Sequence, residues 1–127
     1  MIMERYKNNI IISKSIDFAV RIAKLYRYLT ETKHEYVMSK QLLRSGTSIG
    51  ANAFEAVDGQ SRSDFLAKMN ISLKETNETM CWVVVLYKAE YLSESEYISI
   101  NEDVVELKKI LTSIVKKTKQ DISENKK

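Results

Sequence analysis

The chain of 127 residues contains no proline. Proline interrupts α-helices more strongly than any other residue, because its ring removes a backbone N–H and clashes with the preceding turn. Over most of the sequence, apolar residues recur every three to four positions, which is the spacing of the buried face of a helix. A chain without proline and with this period is predicted to form long, uninterrupted helices.

Turn and capping signals divide the sequence into four predicted helices. The segment 58–61 (Asp-Gly-Gln-Ser) is a turn signal. Ser93 and Glu96 form a capping box, and Ser61 with Asp64 is a weaker version of the same motif. These boundaries predict helices at about 15–32, 36–57, 63–92 and 94–119.

The length is that of a single domain with one core. Because the predicted connections are short, we expect an all-α, antiparallel, up-down-up-down four-helix bundle at residues 15–119. Segments 1–14 and 120–127 lack apolar periodicity, and we predict a flexible N-terminal segment and a flexible charged tail.

Composition restricts the functional classes. No apolar run approaches the roughly 18 residues of a membrane-spanning helix, so we expect a cytoplasmic protein without a membrane partner. Cys81 is the only cysteine and His34 the only histidine, which excludes an intrachain disulfide and a Cys/His zinc cage. The sequence also lacks a glycine-rich phosphate loop and a histidine-based triad. We therefore predict a non-enzymatic protein with no cofactor.

Predicted helix two carries an ordered polar stripe beside its apolar face, and predicted helix three has polar residues beside its own. This predicted polar network comprises Gln41, Arg44, Ser48, Asn52, Glu55, Ser72 and Glu75, and Thr79 of helix three is a further candidate partner. One interpretation is a network that fixes the register of the two helices, since half-buried polar groups need partners. The alternative is a lined groove or pore in an oligomer, where Arg44 and Asn52 would contact a phosphate or a base.

Glycines also mark predicted helix two. Gly46 and Gly50 lie one turn apart, and each glycine inside a helix costs roughly 1 kcal/mol relative to alanine. Such a strip lets another backbone approach closely. It indicates close packing either inside the bundle or against another subunit.

Predicted helix three has apolar residues on two sides. Its predicted core face comprises Phe65, Met69, Leu73, Thr76, Met80, Val83, Tyr87 and Tyr91. Nearly opposite lies a second apolar patch, made of Ile71, Trp82, Val85 and Ala89. Single exposed apolar residues need no explanation, but a contiguous patch usually marks an interface. We therefore predict that this patch is an interface for self-association.

The charges permit a nucleic-acid partner without requiring one, because the net charge is only +3. Two basic clusters are candidates for contact with RNA or DNA, one on helix one and one at the end of helix four: Arg21, Lys24, Arg27, Lys116, Lys117 and Lys119. The alternatives are a solvated face for the first cluster, which acidic residues interrupt, and a response to the helix dipole for the second.

Several of these positions together carry a family resemblance that extends from about residue 16 to 119. The motif positions are Gln41, Leu42, Arg44, Ser48, Ile49, Asn52, Glu55, Asp64, Phe65, Ser72, Leu73 and Glu75. They resemble the signature of the bacterial four-helix bundles encoded in large-subunit ribosomal-RNA intervening sequences. The accessory variability determinants of diversity-generating retroelements belong to the same group. The chain departs from the signature at Gly50, where the family has proline, and at Ala56, where it has glycine.

The resemblance implies a homo-oligomer, typically a pentameric ring. For the retroelement branch it also implies a basic surface that binds nucleic acid and a reverse transcriptase. The functional prediction is therefore a non-enzymatic oligomeric bundle that binds nucleic acid or ribonucleoprotein. The alternative is a protein–protein interaction or scaffold module with no nucleic-acid partner.

Overall fold

A computed structural model describes residues 9–125. Within that range the chain forms four helices and no strand: α1 (Ile10–Glu31), α2 (Met38–Val57), α3 (Arg62–Lys88) and α4 (Glu94–Asn125). The predicted all-α class is confirmed. No helix in the described part of the chain is both long enough and apolar enough to cross a membrane.

All four helices contribute to one apolar core. Ile22 of α1, Leu42 of α2, Val83 of α3 and Leu111 of α4 are fully buried and belong to the same cluster. The capping signals act where the sequence places them. Ser61 accepts a hydrogen bond from the Asp64 N–H at the start of α3, and Ser93 exchanges hydrogen bonds with Glu96 at the start of α4. The four helices thus form a bundle around a single core.

The ends of the bundle differ from the sequence prediction. Helix α1 begins at Ile10, inside the segment predicted to be flexible, because the Asn9 side chain accepts a hydrogen bond from the Ile12 N–H and caps the helix. Ile11 and Ile12 then enter the core. The rest of that predicted segment, residues 1–8, lies outside the described residues.

Helix α4 continues to Asn125 instead of ending near residue 119. Asp121, in the predicted flexible tail, forms an ion pair with Arg62 at the start of α3. Residues 126–127 lie outside the described range. Helix α3 ends at Lys88, earlier than predicted, because the chain turns through Glu90, whose φ is 70°.

The buried face of α3 is rotated relative to the predicted core face. It contains three hydroxyl residues, and its members are Met69, Ser72, Thr76, Thr79, Val83 and Leu86. The Ser72 hydroxyl donates to the Ile49 carbonyl at 2.7 Å, and Thr79 Oγ1 lies 2.9 Å from Ser45 Oγ on α2. These hydroxyls can be buried because each has a partner.

The glycines of α2 face α1 within the same chain. A Cβ atom at Gly46 would lie 2.9 Å from Cγ2 of Ile22, and one at Gly50 would lie 3.3 Å from the backbone oxygen of Ser15. Both distances are shorter than ordinary van der Waals contact, so the two helices could not pack this closely with alanine at these positions without a shift. The glycine strip is therefore a packing feature inside the bundle.

Helix α2 begins on a buried carboxylate. Glu35 is 7% exposed, and its side chain accepts hydrogen bonds from the backbone N–H groups of Val37, Met38 and Ser39. Burial acts to raise the pKa of the Glu35 carboxyl, but these hydrogen bonds outweigh it and hold the pKa below its usual value. An ionised Glu35 thus satisfies three of the free N–H groups at the start of α2.

Candidate nucleic-acid interface

The predicted polar network has its centre at Arg44. The guanidinium donates to the Glu75 carboxylate at 3.2 Å, to the Glu78 carboxylate, and to the Gln41 side-chain oxygen at 3.3 Å. Trp82 adds its indole N–H to Glu78 at 3.1 Å. Arg44 is thus paired across the α2–α3 surface with two carboxylates.

The other members of the network do not converge on Arg44 or on a common cavity. Ser48 donates to the Arg44 carbonyl at 2.6 Å, and Asn52 donates to the Ser48 carbonyl at 2.8 Å, so both bind their own helix. Glu55 pairs with Lys68 of α3 at 2.8 Å. Each predicted network residue has a partner in the chain, an arrangement that favours a register-fixing role over a ligand site.

Sequence reasoning missed three contributors to the α2–α3 contact: Glu78, Lys68 and Ser45. Thr79 was a predicted candidate partner on helix three, and it pairs with Ser45. The spacing of Glu78 was a usable signal, because it follows Glu75 by three residues and precedes Trp82 by four. Residues at these intervals lie on one side of a helix. Ser45 gave no such signal, since a buried serine has the same sequence appearance as an exposed one.

The predicted apolar patch on α3 is only partly exposed. Ile71 is 40% and Val85 36% exposed, and Ala89 is exposed as well. Trp82, by contrast, is half-buried and packs against the core. Because the true buried face is rotated, the patch borders α2 and does not lie opposite the core as predicted.

The predicted basic cluster on α1 is divided by its contacts. The Arg21 guanidinium donates to the Asp103 carboxylate and to the Ser99 hydroxyl of α4, both at 2.6 Å. Lys24 and Arg27 are exposed. Arg21 is therefore held in the α1–α4 contact, which leaves two exposed cations in this cluster.

The same α1–α4 contact contains a second ion pair. Lys14 Nζ lies 2.5 Å from a carboxylate oxygen of Glu106. The hydrogen bond to Glu106 and the charge of that carboxylate raise the pKa of the Lys14 ammonium. Two of the four cations of α1, Lys14 and Arg21, thus join α1 to α4.

The basic cluster predicted at the end of helix four lies more than one turn before the end of α4 and has a different setting. Lys116, Lys117 and Lys119 are exposed, as are Lys108 and Lys109 two turns earlier. We call these five residues the lysine face. Within the described residues none of the five forms an ion pair, and the sequence contains no Asp or Glu from position 107 to 120. That acid-free interval was a signal for Lys108 and Lys109, which the sequence prediction omitted.

The two basic clusters do not form one surface in a single chain. Arg21 contacts α4 at Asp103. At about 1.5 Å per residue, Lys116 lies about 20 Å farther along the axis of α4. The structure therefore makes the lysine face, and not a combined α1–α4 surface, the candidate for contact with phosphates. No group of His, Cys, Asp and Glu side chains suited to a metal ion occurs among residues 9–125.

Comparison with known proteins agrees with the motif on helix two. A crystal structure of a protein of unknown function from the S23 ribosomal protein family of Bacteroides thetaiotaomicron VPI-5482 is 54% identical to the chain. The match covers 87% of this chain and 98% of that one, with a TM-score of 0.84. No curated protein matches significantly. The profile of the 23S rRNA-intervening sequence protein family matches residues 7–113, and the chain therefore belongs to that family.

Proposed function

We propose that this chain is a cytoplasmic, non-enzymatic subunit of a homo-oligomer that binds nucleic acid through the lysine face of α4. The observation that carries the proposal is that five lysines between positions 108 and 119 are exposed and that no Asp or Glu lies among them in the sequence. Elsewhere in the bundle, cations such as Lys14, Arg21 and Arg44 are paired with carboxylates.

The geometry suits a run of phosphates. The lysine face extends over about 17 Å of helix at about 1.5 Å per residue, a length that spans several phosphates of a strand. Lysine binds phosphate as a point charge and releases counterions when it does so. RNA is the first partner to test, because the family is named for an intervening sequence in 23S rRNA. DNA is the second.

We propose an antiparallel, up-down-up-down arrangement of the helices. The order of the contacts supports it. Along α2, Ser45, Ile49 and Glu55 have partners at Thr79, Ser72 and Lys68 of α3 in that order. Rising numbers on one helix thus meet falling numbers on the next.

We further propose that subunits associate into a ring through the apolar patch of α3. Exposed Ile71 and Val85 lie on either side of Trp82 along this helix and support an apolar contact there. A ring would repeat the lysine face in every subunit, and affinity for nucleic acid rises with the number of phosphates neutralised. The pentamer and the reverse transcriptase partner stay predictions of the family resemblance.

The second candidate is a module that binds only protein. The exposed Ile71 and Val85 favour it, because an apolar patch can hold a different protein as readily as another copy of the chain. Under this alternative the lysine face is an ordinary solvated surface. The helix dipole does not explain it, because α4 continues to Asn125 and has no basic residue in its last turn.

Fluorescence anisotropy with labelled single-stranded RNA, duplex RNA and DNA tests the proposal. The triple variant Lys116→Gln, Lys117→Gln, Lys119→Gln should weaken RNA binding at least about tenfold at low salt. It should also reduce the slope of log affinity against log salt by about 2, since each phosphate contact on a single strand contributes about 0.7.

The matched control removes three exposed cations elsewhere, with Lys24→Gln, Arg27→Gln and Lys40→Gln. This control changes the net charge by the same amount as the triple lysine variant. If binding is specific to the lysine face, the control should therefore lose much less affinity. Equal losses in the two variants would show that binding is not specific to the lysine face. Absent or salt-insensitive binding by the unmodified protein would leave the protein-only module as the function.

A further inference from the structure

The tyrosines are concentrated at one end of the bundle. Six of them lie in the described part of the chain, and all six fall within segments 26–36 and 87–97. These segments surround the α1–α2 connection and the α3–α4 connection. A cleft joins them, because its lining includes residues from both: Tyr28, Lys33, Tyr87, Lys88 and Tyr91. We call it the tyrosine cleft.

The tyrosine cleft is open to solvent and has the volume of a small-molecule site. Its volume is about 730 Å³, within the roughly 300–1,000 Å³ of ligand pockets. The three tyrosines are half-buried, so each ring is held by the bundle and still reaches the cleft. Tyr87 is further fixed by stacking on Tyr97, with ring centroids 4.5 Å apart and planes at 15°.

Cations stand beside these rings. Lys33 Nζ lies 5.9 Å from the centroid of the Tyr28 ring, and exposed Lys88 follows Tyr87 directly in α3. A ligand with one flat aromatic part and one anionic part could therefore contact a tyrosine and a lysine together. A nucleotide has both parts, and stacking on aromatic side chains is tolerant of base identity.

Two carboxylates also line the cleft. One is held in a helix cap, and the other is exposed. Glu96 accepts a hydrogen bond from the Ser93 N–H at 2.8 Å and is occupied in the cap of α4. Glu90 is exposed and lies in the connection between α3 and α4. Its charge opposes an anionic ligand, which makes Glu90 a useful position for a test.

We propose that the tyrosine cleft binds a nucleotide, with the base on a tyrosine ring and the phosphate near Lys33 or Lys88. The nucleotide is either free or part of an unpaired strand of RNA. Binding of an unpaired RNA strand rests on the proposed function, whereas binding of a free nucleotide does not. The cleft is separate from the lysine face, since its lining reaches α4 only at Glu96, near the start of that helix.

NMR of the full chain with labelled tyrosine rings tests the proposal directly. Titration with uridine monophosphate, and separately with a ten-nucleotide single-stranded oligouridine, should shift the rings of Tyr28, Tyr87 and Tyr91. Tyr36 is 60% exposed and outside the cleft lining, so its ring serves as the internal control. Shifts with the monophosphate assign a free nucleotide, and shifts with the oligonucleotide alone assign a strand. No shift with either ligand, or equal shifts at Tyr36, overturns the proposal.

Substitutions test which part of the ring matters. Tyr91→Leu should weaken binding of the oligonucleotide about tenfold or more, as loss of a stacked base does. Tyr91→Phe keeps the ring and should bind within about twofold of the unmodified protein. Tyr36→Leu should have no effect, and Glu90→Gln should strengthen binding by removing a negative charge. Equal losses for Tyr91→Leu and Tyr91→Phe, or a preference for duplex RNA, would contradict the stacking role.

The two proposals can fail separately. If the triple lysine variant loses RNA while Tyr91→Leu retains it and the rings do not shift, the cleft proposal fails and the lysine face stands. If the rings shift on titration while the lysine variant retains its affinity, the cleft proposal stands and the lysine face fails. Should Tyr91→Leu prove unfolded by circular dichroism, the titration of the unmodified protein still decides the outcome.

Discussion

Glu35 shows how one side chain outside a helix sets where that helix begins. Val37 is the residue immediately before α2, and its side chain has no acceptor for the free N–H groups of the first turn. Glu35 supplies that acceptor from two residues earlier, and the Ser39 hydroxyl returns a hydrogen bond to the Glu35 carbonyl at 2.8 Å. The pair is therefore a reciprocal cap.

Glu35→Gln should destabilise the protein by about 1–2 kcal/mol near neutral pH, as loss of a helix cap does. Because the folded-state pKa of Glu35 is lowered, its contribution is complete above the unfolded pKa and is lost as pH falls through the folded value. The stability difference between variant and unmodified protein should thus shrink below about pH 4.5. Urea unfolding across pH measures it.

Glu102→Gln is the control for that series, because Glu102 is an exposed carboxylate on α4. A surface substitution of this kind should change stability by no more than about 0.5 kcal/mol. A Glu35→Gln difference that stays constant from neutral to acidic pH would show that the carboxylate charge does not support the cap.

Glu90, another single residue, explains why α3 ends earlier than the sequence predicts. At the end of α3 the Tyr91 N–H binds the Leu86 carbonyl and the Glu90 N–H binds the Tyr87 carbonyl, the hydrogen-bond pattern of a Schellman motif. The left-handed position in that motif is usually glycine. Here it is glutamate, so no sequence signal marked the end of the helix, and the prediction continued α3 by several residues.

At the scale of the helix, buried hydroxyls and surface charges contribute differently to the contact between α2 and α3. Ser45 and Thr79 are fully buried, whereas the Arg44 side chain is 48% exposed. A buried group that loses its partner costs about 1–3 kcal/mol. An exposed ion pair contributes at most about 1 kcal/mol and is screened by salt.

Thr79→Val should therefore destabilise the protein by about 1–2 kcal/mol, and Arg44→Gln by less than about 1 kcal/mol. The Thr79→Val effect should not depend on salt, whereas the Arg44→Gln effect should decrease as salt rises. Urea unfolding at one fixed protein concentration measures both. Thr112→Val, at an exposed position on α4, controls for the exchange itself. A loss of stability for Arg44→Gln that exceeds that for Thr79→Val and does not depend on salt would contradict this difference between buried hydroxyls and surface charges.

The helices show how far sequence reasoning reaches. The lack of proline and the apolar period predicted all four, and the Ser93–Glu96 cap was predicted and confirmed. The rotation of α3 was not predicted, because apolar spacing placed Ser72 and Thr79 beside the core face and not in it, although both are buried. Ser72 and Thr79 enter the core only because α2 supplies a carbonyl and a hydroxyl opposite them. Such pairing depends on tertiary contact and leaves no local pattern.

The same reasoning applies to the candidate sites. Lys116, Lys117 and Lys119 were predicted as a cluster at the end of helix four. They are exposed, but α4 continues past them to Asn125. Arg21 was predicted with the α1 cluster, yet Asp103 and Ser99 hold it from another helix. Sequence order cannot show that residues so far apart meet. It also could not show that tyrosines near residues 28 and 91 line one cleft.

At the scale of the whole molecule, the position of Trp82 decides which residue of the apolar patch should be substituted to test self-association. The indole is half-buried, packs against the core and donates to Glu78. A charge at Trp82 would disturb both the core and the α2–α3 contact, so a loss of association could follow from a damaged fold. Val85 is 36% exposed on the same patch and avoids that ambiguity.

Val85→Lys should lower the mass measured by light scattering from that of an oligomer to that of a smaller species. A lysine ammonium is costly to bury in an apolar contact without a partner, whereas at an exposed position of the single chain it stays hydrated. Helical content by circular dichroism should therefore be unchanged.

Val20→Lys is the matched control, since Val20 is 50% exposed on α1 and lies outside the patch. The same chemical change there should leave the mass of the oligomer unchanged. If both variants dissociate, the contact between subunits extends over α1 as well as α3. If neither does, or if the unmodified protein already has the mass of one chain, the patch of α3 does not join copies of this protein. In that case an apolar contact with a different protein becomes the better explanation of Ile71 and Val85.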